Sequence, residues 1–488
     1  MMNNDSPVFS LNDVLKATAG TLISGAPGNM FCGISTDSRL IKKGELFVAL
    51  KGENFDGHDF VETVLKQGAA GILAHDEEKI NQIPVGEKFA VIKVADTLTA
   101  LGDLAHEWRK RFSIPVIGLT GSSGKTTTKE MIAAIIGRKK NILKTEGNLN
   151  NLIGLPQTIF RLTSQHEVMI LEMGTNTRGE IRRLTQIAEP GIGLITNIGP
   201  AHLEGFGSID VVREEKNDLF LNMPSAGIAI INIDDEAIAT ASEKWNGRKI
   251  TFSMSPNADV TVKDIEKNGV KGMRFNLIIG GNAQKVEMKI AGLHHVYDAM
   301  AAAAAAVAAG MDLQTISEGL AAFRPFSGRM EMIKLRNGAF LLDDSYNANP
   351  ASVREALMTL KDLKTNHNGY VFLGDMLELG EQADEMHRKI GMLIATIGIN
   401  ALFLQGDFSK VTAIGAMEGG LSPGNIFFLS GDENGSAYLK AHLKKGDWIL
   451  VKGSRRMKME KFVAQICDDF GGDKIDGDNK TLNQSGVN

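Results

Sequence analysis

A chain of 488 residues is too long for one hydrophobic core, and at about 150 residues per domain it predicts three domains. Hydrophobic residues make up 43% and charged residues 23%, the balance of a soluble globular protein, which excludes global disorder. The 53 basic and 58 acidic side chains leave a net charge of −5, so no basic surplus favours a phosphate backbone and nucleic acid is not an expected partner.

The opening MMNNDSPVFS lacks the basic start and apolar run of a secretory signal, so export is not expected. Residues 1–113 mix strand-like runs such as GELFVAL (44–50) with helical ones such as FVETVLKQGAAG (60–71), and end in a helix, LGDLAHEWRKRF. At Ile114 the run IPVIGLT passes through a Gly-rich turn into the helical TTTKEMIAAIIG, a strand, loop and helix that open a second domain, 114–327. VMILEMG (168–174) and IGLITNIG (192–199) bracket the helical RGEIRRLTQIA, as parallel strands with crossovers would. Residues 247–292 alternate between KNG and GGN turns and predict a small antiparallel excursion. Ala299 to Met311 is mostly alanine and, at 13 residues, is shorter than the about 18 a membrane span needs, so it reads as a buried helix of a protein that does not enter a membrane.

From Gly328 the alternation resumes through FLLDDS, GYVFLGD, NALFLQG, NIFFLS and DWILVKG, a third, doubly wound domain over 328–488. The tail from Asp473 is polar and is expected to lack order. The predicted fold is therefore α/β throughout: a mixed N-terminal domain, a central parallel-sheet phosphate-loop domain and a C-terminal Rossmann-like domain. Only Cys32 and Cys467 occur, far apart, so neither a disulfide framework nor a cysteine zinc site is indicated, and a reducing cytoplasm is the natural compartment.

TGSSGKTTTKE (120–130) carries the chemistry. Gly121 and Gly124 let the backbone turn tightly, so that N–H groups from Gly121, Ser122, Ser123, Gly124 and Thr127 and a helix N-terminus face an anion. Lys125 adds positive charge and Thr126 a hydroxyl for Mg²⁺. This is a cradle for a nucleoside triphosphate, ATP. The longer form of the motif has glycine six residues before the lysine, where Leu119 stands; the strand and helix around the shorter G-x-x-G-K-T argue against a plain Gly-rich turn. Mg²⁺ in such sites takes one or two carboxylates from neighbouring strand ends, and Glu172 and His202 follow the next two apolar runs. Lys216 in VREEKNDLF reads, by itself, as a surface lysine.

Taken together these segments resemble the Mur ligase family. The resemblance runs through STDSR (35–39), FVALKGENFDGHDF (47–60), GSSGKTT, EGNLNNLIGLP (146–156), LEMGTNTRGEI, AHLEGFGS, REEK, SGRME (327–331), DDSYNANPAS (343–352), GDMLELG (374–380) and VKGSRR (451–456). It implies an ATP-dependent amide ligase that adds D-alanyl-D-alanine to UDP-N-acetylmuramoyl-tripeptide in peptidoglycan precursor synthesis, acting as a monomer. The first domain would hold the uridine diphosphate end, the second ATP, and the third would close over both and receive the dipeptide. Lys125, His202 and Lys216 are the implied catalytic residues. Thr126 and Glu172 would hold one Mg²⁺, and His202 a second with the help of a carbamylated Lys216.

By the same resemblance Asp298, Arg329 and Asp344 join the ATP site, and Ser35, Asp37, Ser38, Arg39, Asn148, Asn151, Tyr346, Asn347 and Asn349 the substrate site. Two family asparagines at the start of the alanine helix are replaced here, in GLHHVYDAMAA, by His295 and Asp298. No D-N-P-R string of the diaminopimelate-adding branch occurs, and SYNANP favours the dipeptide-adding one. Another amino-acid-adding ligase of the family, a folylpolyglutamate-type ligase and a nucleotide switch that forms no bond are the competing readings. The folyl enzyme lacks the STDSR domain, and a switch would release no ligated peptide.

Overall fold

The structure is a computed structural model, and it describes residues 7–83, 86–429 and 433–474. In the N-terminal part, five strands lie in the order Thr21–Ser24, Ala90–Lys93, Gly71–Ala74, Leu46–Val48, Ile34–Ser35, parallel except at the Thr21–Ser24 edge. The helix Thr97–Arg109 leads out of this sheet; Asp96 caps it by accepting from the Thr99 N–H.

Nine strands form the central sheet, in the order Asn282–Met288, Met273–Ile279, Val260–Lys267, Arg248–Phe252, Ile228–Asn232, Ile192–Ile195, Val116–Thr120, Val168–Glu172, Ile142–Lys144. Val116–Thr120 is fully buried and has Val168–Glu172 on one side and Ile192–Ile195 on the other. Strand order reverses there, so a crevice opens beyond its carboxyl end, and the Gly-rich turn follows at that point. The antiparallel excursion is present but is not a separate sheet. Its three strands extend the edge of the parallel one.

The alanine run lies in the helix Leu293–Ala308 up to Ala308, and its alanines from Ala299 to Ala306 are buried, with the helix packed on the helix Lys125–Ile136 that follows the phosphate loop. Side chains of one carbon let the two helices approach closely, which is why this apolar helix lies inside the protein. Among the described residues no helix is long and apolar enough to cross a membrane.

The C-terminal sheet runs Ile426–Phe428, Ala401–Gln405, Gly369–Gly374, Trp448–Lys452, Phe340–Asp344, Glu331–Leu335, Gly472–Lys474. The first five are parallel and the last two antiparallel. The expectation of an unstructured tail from Asp473 needs correction at its start: Asp473 and Lys474 pair with Lys334 and Ile333. The rest of that tail lies outside the described residues. Apolar packing is continuous across residues 113/114: one core holds Leu104, Ile159 and Leu162, the Trp108 indole N–H donates to the Leu162 carbonyl at 3.1 Å, and a second core carries Ile132 and Leu360 together.

Candidate active site

The phosphate loop owes its shape to two glycines. Gly121 has φ +152°, and a Cβ there would sit 1.9 Å from Thr196 Oγ1; Gly124 has φ +76°, and a Cβ there would sit 2.4 Å from Asp298 Oδ1. Thr196 and Asn197, just past the strand Ile192–Ile195, brace the loop. The Thr196 hydroxyl donates to the Ser123 carbonyl (2.6 Å), while the Ser122 and Ser123 N–H groups donate to the Asn197 carbonyl (3.0 Å) and Oδ1 (2.9 Å). The helix Lys125–Ile136 starts at Gly124 with no side-chain cap, which leaves its first-turn N–H groups directed at the crevice.

Ser122, Ser123, Gly124, Lys125, Thr126 and Thr127 line a cavity of ≈ 760 Å³, together with Glu172, His202 and Lys216. Glu172 ends its strand and is buried. Its Oε1 accepts from Asn150 Nδ2 at 2.9 Å; among the described residues its Oε2 has no hydrogen-bond partner, and Lys129 Nζ, 3.9 Å away, is engaged with the Thr145 carbonyl at 2.7 Å. A buried carboxylate oxygen left bare in the cavity that Thr126 and the phosphate loop also line is a donor suited to a hard divalent cation.

Lys216 is not the surface lysine its local sequence suggests: it lies on the helix Ile209–Asn222 and is 2% exposed. Burial, reinforced by Lys125 and opposed by Glu215, holds its amine well below the usual lysine range. Glu215 itself accepts from the Gly179 and Ile181 N–H groups at 2.6 and 2.8 Å, which ties this helix to the one beginning at Glu180. Burial also lowers Lys125, with Glu172 opposing and Arg329 assisting. Lys125 Nζ donates to the Gly121 carbonyl at 2.8 Å.

Asp298, Arg329, Asp344, Tyr346, Asn347 and Asn349 line the same cavity from the alanine helix and the C-terminal sheet. Asp298 accepts from the Thr128 hydroxyl at 3.1 Å and lies 3.0 Å from His295 Nδ1; burial pushes its carboxyl up to about 7, against the effects of His294 and the Thr128 bond. Arg329 stacks over Tyr346, 4.1 Å from the ring centroid, with its Nε buried and without a hydrogen-bond partner among the described residues. Asn349 caps the helix Pro350–Lys364 and donates to the Ser122 carbonyl at 3.3 Å, so the C-terminal part touches the phosphate loop directly.

Asn148 and Asn151 line the cavity, and Asn151 Oδ1 also accepts from the Gly154 N–H at the start of a helix. The structure does not bring Ser35, Asp37, Ser38 and Arg39 there. Asp37 and Arg39 form an exposed bidentate pair at 2.9 and 2.7 Å, apart from the cavity lining. Reasoning from sequence missed Asn150, Asn197, Glu378 and Lys452. Each sits inside a segment whose residue types were visible, but their roles depend on partners distant in sequence.

Comparison with known proteins agrees with this geometry. Residues 119–306 match the family profile described as Mur ligase middle domain, residues 328–455 that described as Mur ligase, glutamate ligase domain, and residues 31–109 that described as Mur ligase family, catalytic domain. The UDP-N-acetylmuramoyl-tripeptide–D-alanyl-D-alanine ligase of Escherichia coli (strain K12) is 36% identical over 440 residues, 89% of this chain and 93% of that protein. The enzyme of the same name from Bacillus subtilis (strain 168) is 34% identical over 436 residues, 89% of this chain and 93% of its own. A crystal structure of MurF from Acinetobacter baumannii superposes with a TM-score of 0.86 at 31% identity, covering 95% of this chain and 100% of that one. MurF from Thermotoga maritima in complex with ADP gives 0.80 at 26% identity, over 89% and 97%. With matching profiles along the sequence and relatives alike over nearly their whole length, the chain belongs to the Mur ligase family.

Proposed function

We propose that this chain is the ATP-dependent ligase that joins D-alanyl-D-alanine to UDP-N-acetylmuramoyl-tripeptide in the cytoplasm, working as a monomer. The observation that carries the reading is the single cavity in which the phosphate loop, Glu172, His202 and Lys216 meet Arg329, Asp344 and Tyr346 from the C-terminal sheet. The names of the relatives supply the substrates. Residues 1–113, with Ser35, Asp37, Ser38 and Arg39, take the uridine diphosphate end; 114–327 bind ATP; 328–488 close over both and admit the dipeptide. Asn148, Asn151, Tyr346, Asn347 and Asn349 contact the peptide portion, and Asp298, Arg329 and Asp344 the nucleotide.

A carboxylate in water resists amide formation until one of its oxygens becomes a good leaving group. The terminal carboxylate of the tripeptide attacks the γ-phosphorus of ATP, ADP departs, and an acyl phosphate results. The amine of D-alanyl-D-alanine then attacks the acyl carbon and phosphate leaves. No protein nucleophile is needed. Lys125, the first-turn N–H groups of the helix Lys125–Ile136 and Arg329 offset the charge that develops on the transferring group, whereas the Ser122 and Ser123 N–H groups are held by Asn197, and the remaining side chains hold the reactants in line. Mg²⁺, when bound, neutralises phosphate charge. Thr126 and Glu172 would hold one ion, His202 and Lys216 the other. A buried neutral amine adds to CO₂ with loss of one proton, which turns Lys216 into an oxygen donor that an ammonium cannot be.

Ligation followed by mass spectrometry tests the reading, with ATP, D-alanyl-D-alanine and the nucleotide-tripeptide in its diaminopimelate and lysine forms. The expected product has the mass of tripeptide plus dipeptide less one water, with one ADP released per bond. ADP release that requires neither acceptor would contradict it, and a product formed only with a single amino acid would move the chain to another branch of the family.

A further inference from the structure

The turn that carries His202 is clasped from the C-terminal part of the chain. His202 Nδ1 lies 2.6 Å from Glu378 Oε2, and the Glu204 N–H donates to the Glu378 carbonyl at 3.1 Å. Both residues adopt left-handed backbone, φ 55° and 65°, a conformation side chains other than glycine rarely take. Gly380, at φ +56°, lies so close that a Cβ there would be 3.3 Å from Glu204 Cα. The clasping loop is firmly built into its own part: the Leu377 N–H donates to Ser454 Oγ at 2.8 Å, and the buried Met376 N–H to His387 Nε2 at 3.0 Å. An exposed His–Glu pair contributes little to stability and needs neither a backbone bond nor two left-handed residues. The arrangement has the marks of a constraint on the imidazole.

A carboxylate can only accept, so in the neutral form that a metal needs, the ring carries its proton on Nδ1 and Nε2 keeps its lone pair. His202 lines the substrate cavity, whereas Glu378 does not. We infer that Glu378 is a positioning residue: when the C-terminal part docks, its carboxylate fixes the tautomer and aim of His202, so that this metal ligand is complete only in the closed arrangement. The inference rests on the proposed role of His202 as a ligand. It adds a consequence, that ATP can be held before the second ion is, because the residues proposed for the first ion, Thr126 and Glu172, both belong to the central sheet and its loop.

The test uses the full-length enzyme with a non-hydrolysable ATP analogue and the nucleotide-tripeptide, Mn²⁺ in place of Mg²⁺, and binding counted by electron paramagnetic resonance. The parent should bind two Mn²⁺. Glu378→Ala should weaken the second by about 10- to 100-fold and leave the first unchanged. Glu378→Gln should keep much of the affinity, since its carbonyl oxygen can accept the same N–H. Independently of metal, ¹⁵N-histidine spectra should place the His202 proton on Nδ1 in the parent and shift it towards Nε2 in Glu378→Ala, with an unchanged melting temperature showing that the fold is kept. Two equally tight ions in Glu378→Ala, an unmoved tautomer, or a Gln variant as weak as Ala would overturn the inference alone. A parent that binds a single ion would overturn the ligand role of His202 and this inference with it.

Discussion

Lys452 Nζ lies 2.5 Å from Asp344 Oδ2 and 2.9 Å from the Asn347 carbonyl, a buried ion pair between adjacent strands of the C-terminal sheet. Burial drives the two partners in opposite directions, raising the carboxyl of Asp344 and lowering the amine of Lys452, while their mutual attraction restores both. Such a pair contributes little beyond an apolar one of the same shape, but half of it is costly. Lys452→Met should destabilise the protein by about 3–5 kcal/mol, and Lys452→Met with Asp344→Leu should recover most of that loss in urea unfolding of the whole chain. A single variant within about 0.5 kcal/mol of the parent would show that solvent reaches the pair.

Gly121→Ala should cost about 1–3 kcal/mol and raise the KM for ATP, because the new methyl would fall on Thr196 Oγ1 while the backbone keeps φ +152°. Adding Thr196→Ala removes the 1.9 Å contact but leaves the Cβ at 3.1 Å and the backbone strain, so the double variant should be partly restored. Thermal melts and ATP titration of the four chains measure the coupling, and strict additivity would show that the loop is looser than its bracing implies.

Asp298 supplies a pH signature. Burial pushes its carboxyl up to about 7, whereas the unfolded chain releases that proton near pH 4, as an ordinary aspartate does. Between about pH 4 and 7 the native state therefore holds a proton that the unfolded state has lost, and stability falls as pH rises through that window. Asp298→Asn should remove the effect. The parent should lose stability with pH more steeply than the variant there, by up to about 1.4 kcal/mol per pH unit, and the two slopes should match above it. Parallel curves from pH 4 to 7 would place the titration elsewhere.

Lys125→Ala should lower turnover by about 10²-fold or more with the melting temperature kept, because it withdraws charge from the transferring phosphoryl group. Lys216→Ala should be nearly inactive and regain activity on addition of formate or acetate, whose carboxylate can occupy the space the carbamate would fill. An inactive variant that neither acid restores would leave the lysine without its proposed carboxylate function.

Much of the fold was legible because its signals are local. The run IPVIGLT, its glycines and the helix after them occupy one stretch of sequence, and the strand Val116–Thr120 and helix Lys125–Ile136 form where that stretch predicts them. Glu172 was legible for the same reason, as the last residue of an apolar run. The burial of Lys216 was not: its neighbours in sequence, Glu214, Glu215 and Asn217, are polar, and only the packing of the helix Ile209–Asn222 against the sheet takes the amine out of water. Glu378 and Lys452 were hidden in another way. Their segments were quoted for their resemblance, but what each side chain does depends on His202 and Asp344, more than a hundred positions away in sequence.

Asn349 does two things at once: it begins the helix Pro350–Lys364 and holds the Ser122 carbonyl of the phosphate loop. The C-terminal part cannot swing away without surrendering that bond at the rim of the triphosphate cradle. Any outward movement of that part and the freeing of the phosphate loop are thereby linked through one side chain.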